Sequence, residues 1–224
     1  MRYSGAGIIP IIIINKKSYF ILFNSSKNLI TDAGGKIESK HSILETASRE
    51  LFEESCGLIS INKNIIDKNS IFLDVKNLNK NSEYYNKYYR VYFIIIDNIE
   101  NINDFYKNFR KFKEFGFNPF VETFKINLIK LDKFDKFDKF DKLDEKIIVY
   151  TINNEIRTLN DRLTRIYNLL LEKFNSINDF NNFIKKKIKP IVLQKKIISV
   201  KTYEYNTNKN IEINDVITYS NLVL

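Results

Sequence analysis

The chain has 224 residues, 44% of them hydrophobic, and a formal net charge of +9 from 36 basic and 27 acidic side chains. That is enough for one domain with an extension and a real core. The single cysteine, Cys56, excludes an internal disulfide framework, and one histidine beside one cysteine excludes the usual His/Cys zinc sites. A basic surface favours polyanionic partners, but lysine, asparagine and isoleucine are abundant throughout, as an A+T-rich coding genome would make them. Lysine clusters are discounted accordingly.

In chain order, Ile8–Ile14 and Ser18–Phe23 read as a hairpin turning at Asn15–Lys17. The first of these runs is short, is interrupted by Pro10 and lacks a cleavage pattern, so no signal peptide is expected. No stretch reaches membrane-spanning length. The expectation is a soluble, cytoplasmic protein with no membrane partner. Leu29–Ala33 leads into a glycine turn at Gly34-Gly35. A helix spans about 42–56, with Ser42 and Glu45 as a capping box and Gly57 as the stop. Strands follow at Ser70–Val75 and Lys87–Asp97. Asn103–Phe115 reads as an amphipathic helix with Phe105, Phe109 and Phe112 on one face. Those rings either pack on the sheet or stack on a base, with Arg110 meeting phosphate. The repeat of Asp-Lys-Phe within about 132–146 is low complexity, an expanded surface insertion. A short strand at Ile147–Ile152, helices at Thr158–Phe174 and Ile177–Ile188, and a tail hairpin around Asn206–Asn210 complete the pass. The expected organisation is a domain at 1–175 and a lysine-rich extension at 176–224 packing on or next to it. The lysine run Lys185–Lys187 ends a solvated helix or contacts RNA.

The chemistry concentrates in Gly34-Gly35-Lys36 and the helix after it. Glu50, Glu53 and Glu54 stand at i, i+3 and i+4, on one helix face. Like charges so placed repel each other unless a cation sits among them. Oxygen-only donors suit Mg²⁺ or Mn²⁺, which bind through a few carboxylates plus substrate phosphates. Arg49 can pair with Glu45 and Glu53, each four residues away. A solvated charged face explains Arg49 and Glu45 but not the acidic cluster or the glycines upstream.

This segment resembles the signature of the Nudix hydrolases, G-x5-E-x7-R-E-U-x-E-E-x-G-U, where U is a bulky aliphatic. Gly35 matches the first glycine, and Arg49, Glu50, Leu51, Glu53 and Glu54 match the core in register. Two positions depart from it. His41 stands where the family has a glutamate, and the last glycine arrives one residue late, at Gly57. Gly5-Ala6-Gly7-Ile8-Ile9 looks like the family's first strand. Glu122–Phe134 looks like the segment that often closes its sheet, with Leu128 at a common tryptophan position.

The resemblance implies an α/β fold, a Nudix-like α/β/α sandwich with a mixed β-sheet and a loop–helix–loop motif. It implies hydrolysis of a diphosphate linkage in a nucleoside-diphosphate-type substrate, with Mg²⁺ or Mn²⁺ as cofactor. Glu53 and Glu54 would be the first metal ligands. Glu50 would be a third ligand or the base that orients water, and the Gly35 carbonyl a backbone ligand. Arg49 would hold the acidic cluster, Lys36 would meet a phosphate, and Glu122 would reach the metals or act as base. His41 cannot supply the missing charge, yet the principal cluster is intact and activity is expected. Within the family an mRNA-decapping enzyme acting on capped RNA and a diphosphoinositol polyphosphate hydrolase are alternatives. A catalytically weak binding module is the alternative of a different class. Cys56 reads as a packing residue, not a nucleophile.

Overall fold

The computed structural model describes residues 1–24, 29–97, 99–116, 123, 125–131, 148–150, 156–204 and 209–221. Isoleucine-rich strands β1 (Tyr3–Ile14) and β2 (Lys17–Asn24) are joined by Asn15 and Lys16, both left-handed with φ of 50° and 64°. Two left-handed residues in succession match the twist of the flanking strands and make a tight hairpin. Next come β3 (Leu29–Thr31), β4 (Ala33–Lys36), α1 (Ile43–Glu54), β5 (Ile59–Ser60) and α2 (Lys63–Lys68). Then follow β6 (Ser70–Lys76), β7 (Tyr88–Ile96), α3 (Asp104–Glu114), β8 (Lys125–Lys130), β9 (Ile148–Tyr150) and β10 (Ile156–Leu159). The chain continues with α4 (Asp161–Phe174), α5 (Ile177–Lys187), β11 (Leu193–Glu204) and β12 (Lys209–Asn221).

The main sheet is mixed. Its central strand β1 runs parallel to β7 on one side. On the other side its first half pairs antiparallel with β4 and its second half with β2. The strand order is β6-β7-β1-β2-β3-β10-β9, with β8 on β2. Side chains alternate across the sheet, as strand geometry requires. Tyr92, Ile94 and Ile96 of β7 enter one core with Ala47 and Leu51 of α1 and Phe105 and Phe112 of α3. Val91, Phe93 and Ile95 enter a second core with Leu163 and Ile166 of α4 and Phe180 and Ile184 of α5. Helices thus cover both faces, giving the expected α/β/α layering.

The C-terminal segment contributes side chains to both cores. Ile177, Phe180 and Ile184 fill the second, and Ile213, Val216 and Tyr219 of β12 fill the first. β12 also pairs with β5 just after α1. The aromatic stripe of α3 is core: Phe105 and Phe112 are fully buried, and Asn108 donates to the carbonyls of Cys56 and Ile217. The Asp-Lys-Phe repeat, the turn of the tail hairpin and Glu122 lie outside the described residues. Among the described residues, no helix is long and apolar enough to cross a membrane.

Candidate active site

α1 begins and ends on local chemistry. The Ser42 side chain accepts from the Glu45 amide and the Glu45 carboxylate accepts from the Ser42 amide, closing the capping box. Lys63 of α2 completes the coordination of Glu45 at 2.6 Å. This holds the Glu45 carboxyl down at about 2, first through Lys63 and then through Ser42. Glu45 is therefore committed to the helix start. Arg49 turns instead to Glu53 and Glu50, each at 2.6 Å, and to Glu38 at 3.4 Å.

The helix end differs from the expectation that Gly57 is the stop. The Gly57 amide donates to Phe52 O at 2.7 Å and the Cys56 amide to Glu53 O at 2.9 Å. That is a Schellman cap whose left-handed residue, normally glycine, is Cys56 at φ 51°. The late glycine of the motif is thus the second left-handed residue, at φ 71°. The Cys56 side chain is fully buried and burial pushes its thiol up, so it packs and does not react.

The glycine pair also differs from expectation. Gly34 and Gly35 do not form a turn; they are the middle of β4, opposite Gly7 and Ala6 of β1. They are required by close approach, not by backbone angle. A Cβ on Gly34 would overlap the Tyr89 hydroxyl, and one on Gly35 would overlap the Glu50 carboxylate. β4 is thereby pressed onto α1, with the glycine strand flush against the acidic face of the helix.

Glu50, Glu53 and Glu54 line one cavity of about 370 Å³ with Gly35, Lys36 and Arg49. Glu38 joins them, a fourth carboxylate that the motif spacing did not mark. It also lies 3.7 Å from His41, the position where the motif has a glutamate. Glu50 is buried and its carboxyl is pushed up to about 7. Burial is the main cause; Arg49 opposes it and the nearby Glu53 charge adds to it. Among the described residues, no three His, Cys, Asp or Glu side chains are already gathered as a ligand set. In this arrangement Arg49 holds Glu50 and Glu53. The donor chemistry nonetheless fits a hard divalent cation: every side-chain acceptor on this face is a carboxylate oxygen.

Beside this cavity, across Gly35 and Lys36, lies a second cleft of about 240 Å³ with the opposite charge. It is lined by Lys36, Lys76, Tyr84, Tyr89, Arg162 and Arg165, together with small and polar groups and no carboxylate. The Lys36 ammonium stands 5.6 Å from the Tyr84 ring centre, a contact supplied by the connection between β6 and β7. Lys36 thus lines both pockets. Arg110 is elsewhere. It lies exposed on α3, donates to Tyr106 O at 3.3 Å, and lines neither pocket. The Gly35 carbonyl lies against Gly5 of β1. The sequence did not mark Asp32, Tyr89, Arg162 or Tyr84, whose placement depends on strand pairing and on Arg162 of α4 reaching the Gly34 carbonyl.

The fold and site together define a mixed α/β domain with a strand–helix carboxylate centre. No family model and no curated protein matches the chain. Solved structures do resemble it at low identity. An Ap4A hydrolase binary complex from C. elegans is 12% identical with a TM-score of 0.43, over 81% of this chain and 97% of that one. A MutT/nudix family protein from Enterococcus faecalis is 10% identical with a TM-score of 0.44, over 82% and 68%. A bifunctional NMN adenylyltransferase/ADP ribose pyrophosphatase from Francisella tularensis, complexed with AMP and a Mn ion, is 12% identical with a TM-score of 0.40, over 77% and 42%.

Proposed function

We propose that the chain is an active Nudix-type hydrolase that cleaves a diphosphate linkage in a nucleoside-diphosphate-type substrate and depends on Mg²⁺ or Mn²⁺. The observation that carries this reading is the juxtaposition of an acidic cavity and a cationic cleft across Gly35 and Lys36. Either pocket alone is ordinary. Side by side they suit a metal-bridged anion, with carboxylates on one side and lysine and arginine on the other.

Glu53 and Glu54 would be the first ligands of the cation, which would compete with Arg49 for the oxygens of Glu53 and Glu50. When bound, it would neutralise phosphate charge and lower the pKa of an attacking water. The chain's own groups do the rest. Glu50, whose carboxyl sits near 7 in the metal-free protein, would serve either as a third ligand or as the base that orients water. Lys36 and Arg165 would orient the phosphates, and Tyr84 offers a ring face at the cleft mouth. Arg49 would hold Glu53 in one rotamer. With Glu38 in the cavity, the histidine at position 41 need not remove activity.

Product release from a panel tests the reading. The panel comprises dinucleoside polyphosphates, nucleotide sugars, ADP-ribose, nucleoside triphosphates, diphosphoinositol phosphates and capped RNA, each in Mg²⁺ and in Mn²⁺. Metal-dependent turnover of one class names the substrate. Steep salt dependence and competition by uncapped RNA would assign decapping. No turnover of any class by folded, metal-supplied protein would favour a binding module.

A further inference from the structure

Strand β4 separates the two pockets, and what holds β4 in place is a polar assembly to which the hydrolase reading gives no step, although Tyr89 and Arg162 also line the cationic cleft. Its centre is Asp32, fully buried in the single-residue gap between β3 and β4. The Tyr89 hydroxyl donates to one Asp32 oxygen at 2.6 Å. The Arg162 Nε donates to the other at 2.8 Å. The same guanidinium reaches the Gly34 carbonyl at 2.9 Å and the Thr31 hydroxyl at 3.1 Å. It also stacks 4.5 Å from the Tyr89 ring centre. Asn160, the N-cap of α4, donates to Thr31 at 2.7 Å through its side chain and to Ile30 O at 2.9 Å through its amide. The first turn of α4 is thus fastened to residues 30–34 by side chains whose length and shape are specific.

A buried ion pair is a poor device for stability, because desolvation offsets its attraction, and apolar residues would do as well. It is a good device for fixing geometry, since each of these bonds fixes a direction. Two of the partners meet the glycine strand itself: Arg162 on the Gly34 carbonyl, and the Tyr89 hydroxyl in the space between Gly34 and Gly7 of β1. On the far side of the next residue, Gly35 is pressed on Glu50.

We propose that Arg162 is a positioning residue: through Asp32, Tyr89 and the Gly34 carbonyl it fixes β4 between the two pockets, so that Glu50 and Lys36 face one substrate. Its catalytic purpose rests on the hydrolase reading; the clamp itself does not. Lysine at this position keeps the charge but cannot hold Asp32 and the Gly34 carbonyl at once. Phenylalanine at position 89 removes one hydroxyl and leaves the ion pair.

Three readouts are taken on wild type, Arg162→Lys and Tyr89→Phe: amide hydrogen exchange by NMR, Mn²⁺ binding by electron paramagnetic resonance, and kcat with KM. In Arg162→Lys the amides of Gly34–Lys36 should exchange at least roughly 10-fold faster while those of Val91 and Phe93 in β7 keep wild-type rates. Mn²⁺ affinity should fall by about 3-fold or more, and kcat by about 10-fold or more with KM little moved, since misplaced groups cost rate more than binding. Tyr89→Phe should move each readout the same way by less. Unchanged exchange in β4, or equal acceleration across the whole sheet, would overturn the clamp. A local exchange difference in a protein whose wild type neither binds Mn²⁺ nor turns over substrate would overturn the hydrolase reading alone and support the clamp. If Arg162→Lys fails to fold, Tyr89→Phe decides by the same local exchange criterion.

Discussion

The hydroxyl of Tyr89 occupies the place where a side chain on Gly34 would begin, and from there it bonds Asp32 at 2.6 Å. Tyrosine and glycine, far apart in sequence, are therefore one fitted unit. Gly34→Ala should destabilise the protein by about 2 kcal/mol or more through overpacking. Tyr89→Phe leaves an Asp32 oxygen short of a donor and should cost about 1–3 kcal/mol. The double variant should cost less than the sum of the two, because the overlapping hydroxyl is gone. Gly7→Ala should not be rescued in this way, since its Cβ would also meet Ala33 O and Asp32, each at 2.5 Å. Urea unfolding of the wild type, the three single variants and the two double variants with Tyr89→Phe checks the pattern.

Glu50 gives a pH dependence with a definite sign. Its folded carboxyl sits near 7, above the ordinary value of about 4.3. The folded state therefore binds more protons than the unfolded state between those values. The stability Glu50 contributes is complete below about 4.3 and is lost as pH rises through about 7. In metal-free buffer Glu50→Gln should equal wild type near pH 4.5 and exceed it at pH 8 by roughly 1–3 kcal/mol. A difference that does not change with pH, measured by denaturant titration in EDTA, would contradict this account.

Arg49 is the counterion of the acidic face. Arg49→Ala leaves Glu50 and Glu53 without their 2.6 Å partner. The metal-free melting temperature should fall by several degrees, about 1–2 kcal/mol for a part-buried pair. Saturating Mn²⁺ should then raise it by more than in wild type, because the cation takes over the neutralising role. Thermal melts with and without Mn²⁺ check both parts.

The end of α1 makes a prediction about the displaced glycine. Gly57 is left-handed, and a Cβ there would meet Val216 at 3.0 Å. Gly57→Ala should cost about 1–2 kcal/mol from backbone conformation alone. Equilibrium unfolding checks this; a neutral effect would contradict a left-handed backbone at this position.

Much of this fold was legible because its signals are local. The capping box of Ser42 and Glu45, the pairing of Arg49 with Glu53, and the apolar alternation of β1, β2 and β7 each follow from a few adjacent residues. Where the reading differed, long-range contacts decided. The glycine pair looked like a turn, but Tyr89 and Glu50 require glycine inside a strand. Arg49 turned from Glu45 because Lys63 and the helix start had claimed that carboxylate. The expected helix from Thr158 starts at Asp161, because Ile156–Leu159 pairs with β3 and β9. Side chains of the 176–224 segment, among them Ile213, Val216 and Tyr219 of β12, join the core, which no local signal marked. Of the candidate site, the carboxylates and Lys36 came together from their spacing. Glu38, Asp32, Tyr89 and Arg162 could only be found once β4 was laid on β1.

The most direct test of the central claim is the rate of phosphate-anhydride cleavage by wild type and Glu53→Gln on the best substrate of the panel, in saturating Mn²⁺ and in EDTA. The account predicts turnover by wild type only with metal, and a loss of about 100-fold or more in Glu53→Gln, since the substitution removes a charged metal ligand and little volume. Wild-type turnover in EDTA, or near-wild-type hydrolysis by Glu53→Gln, would contradict it.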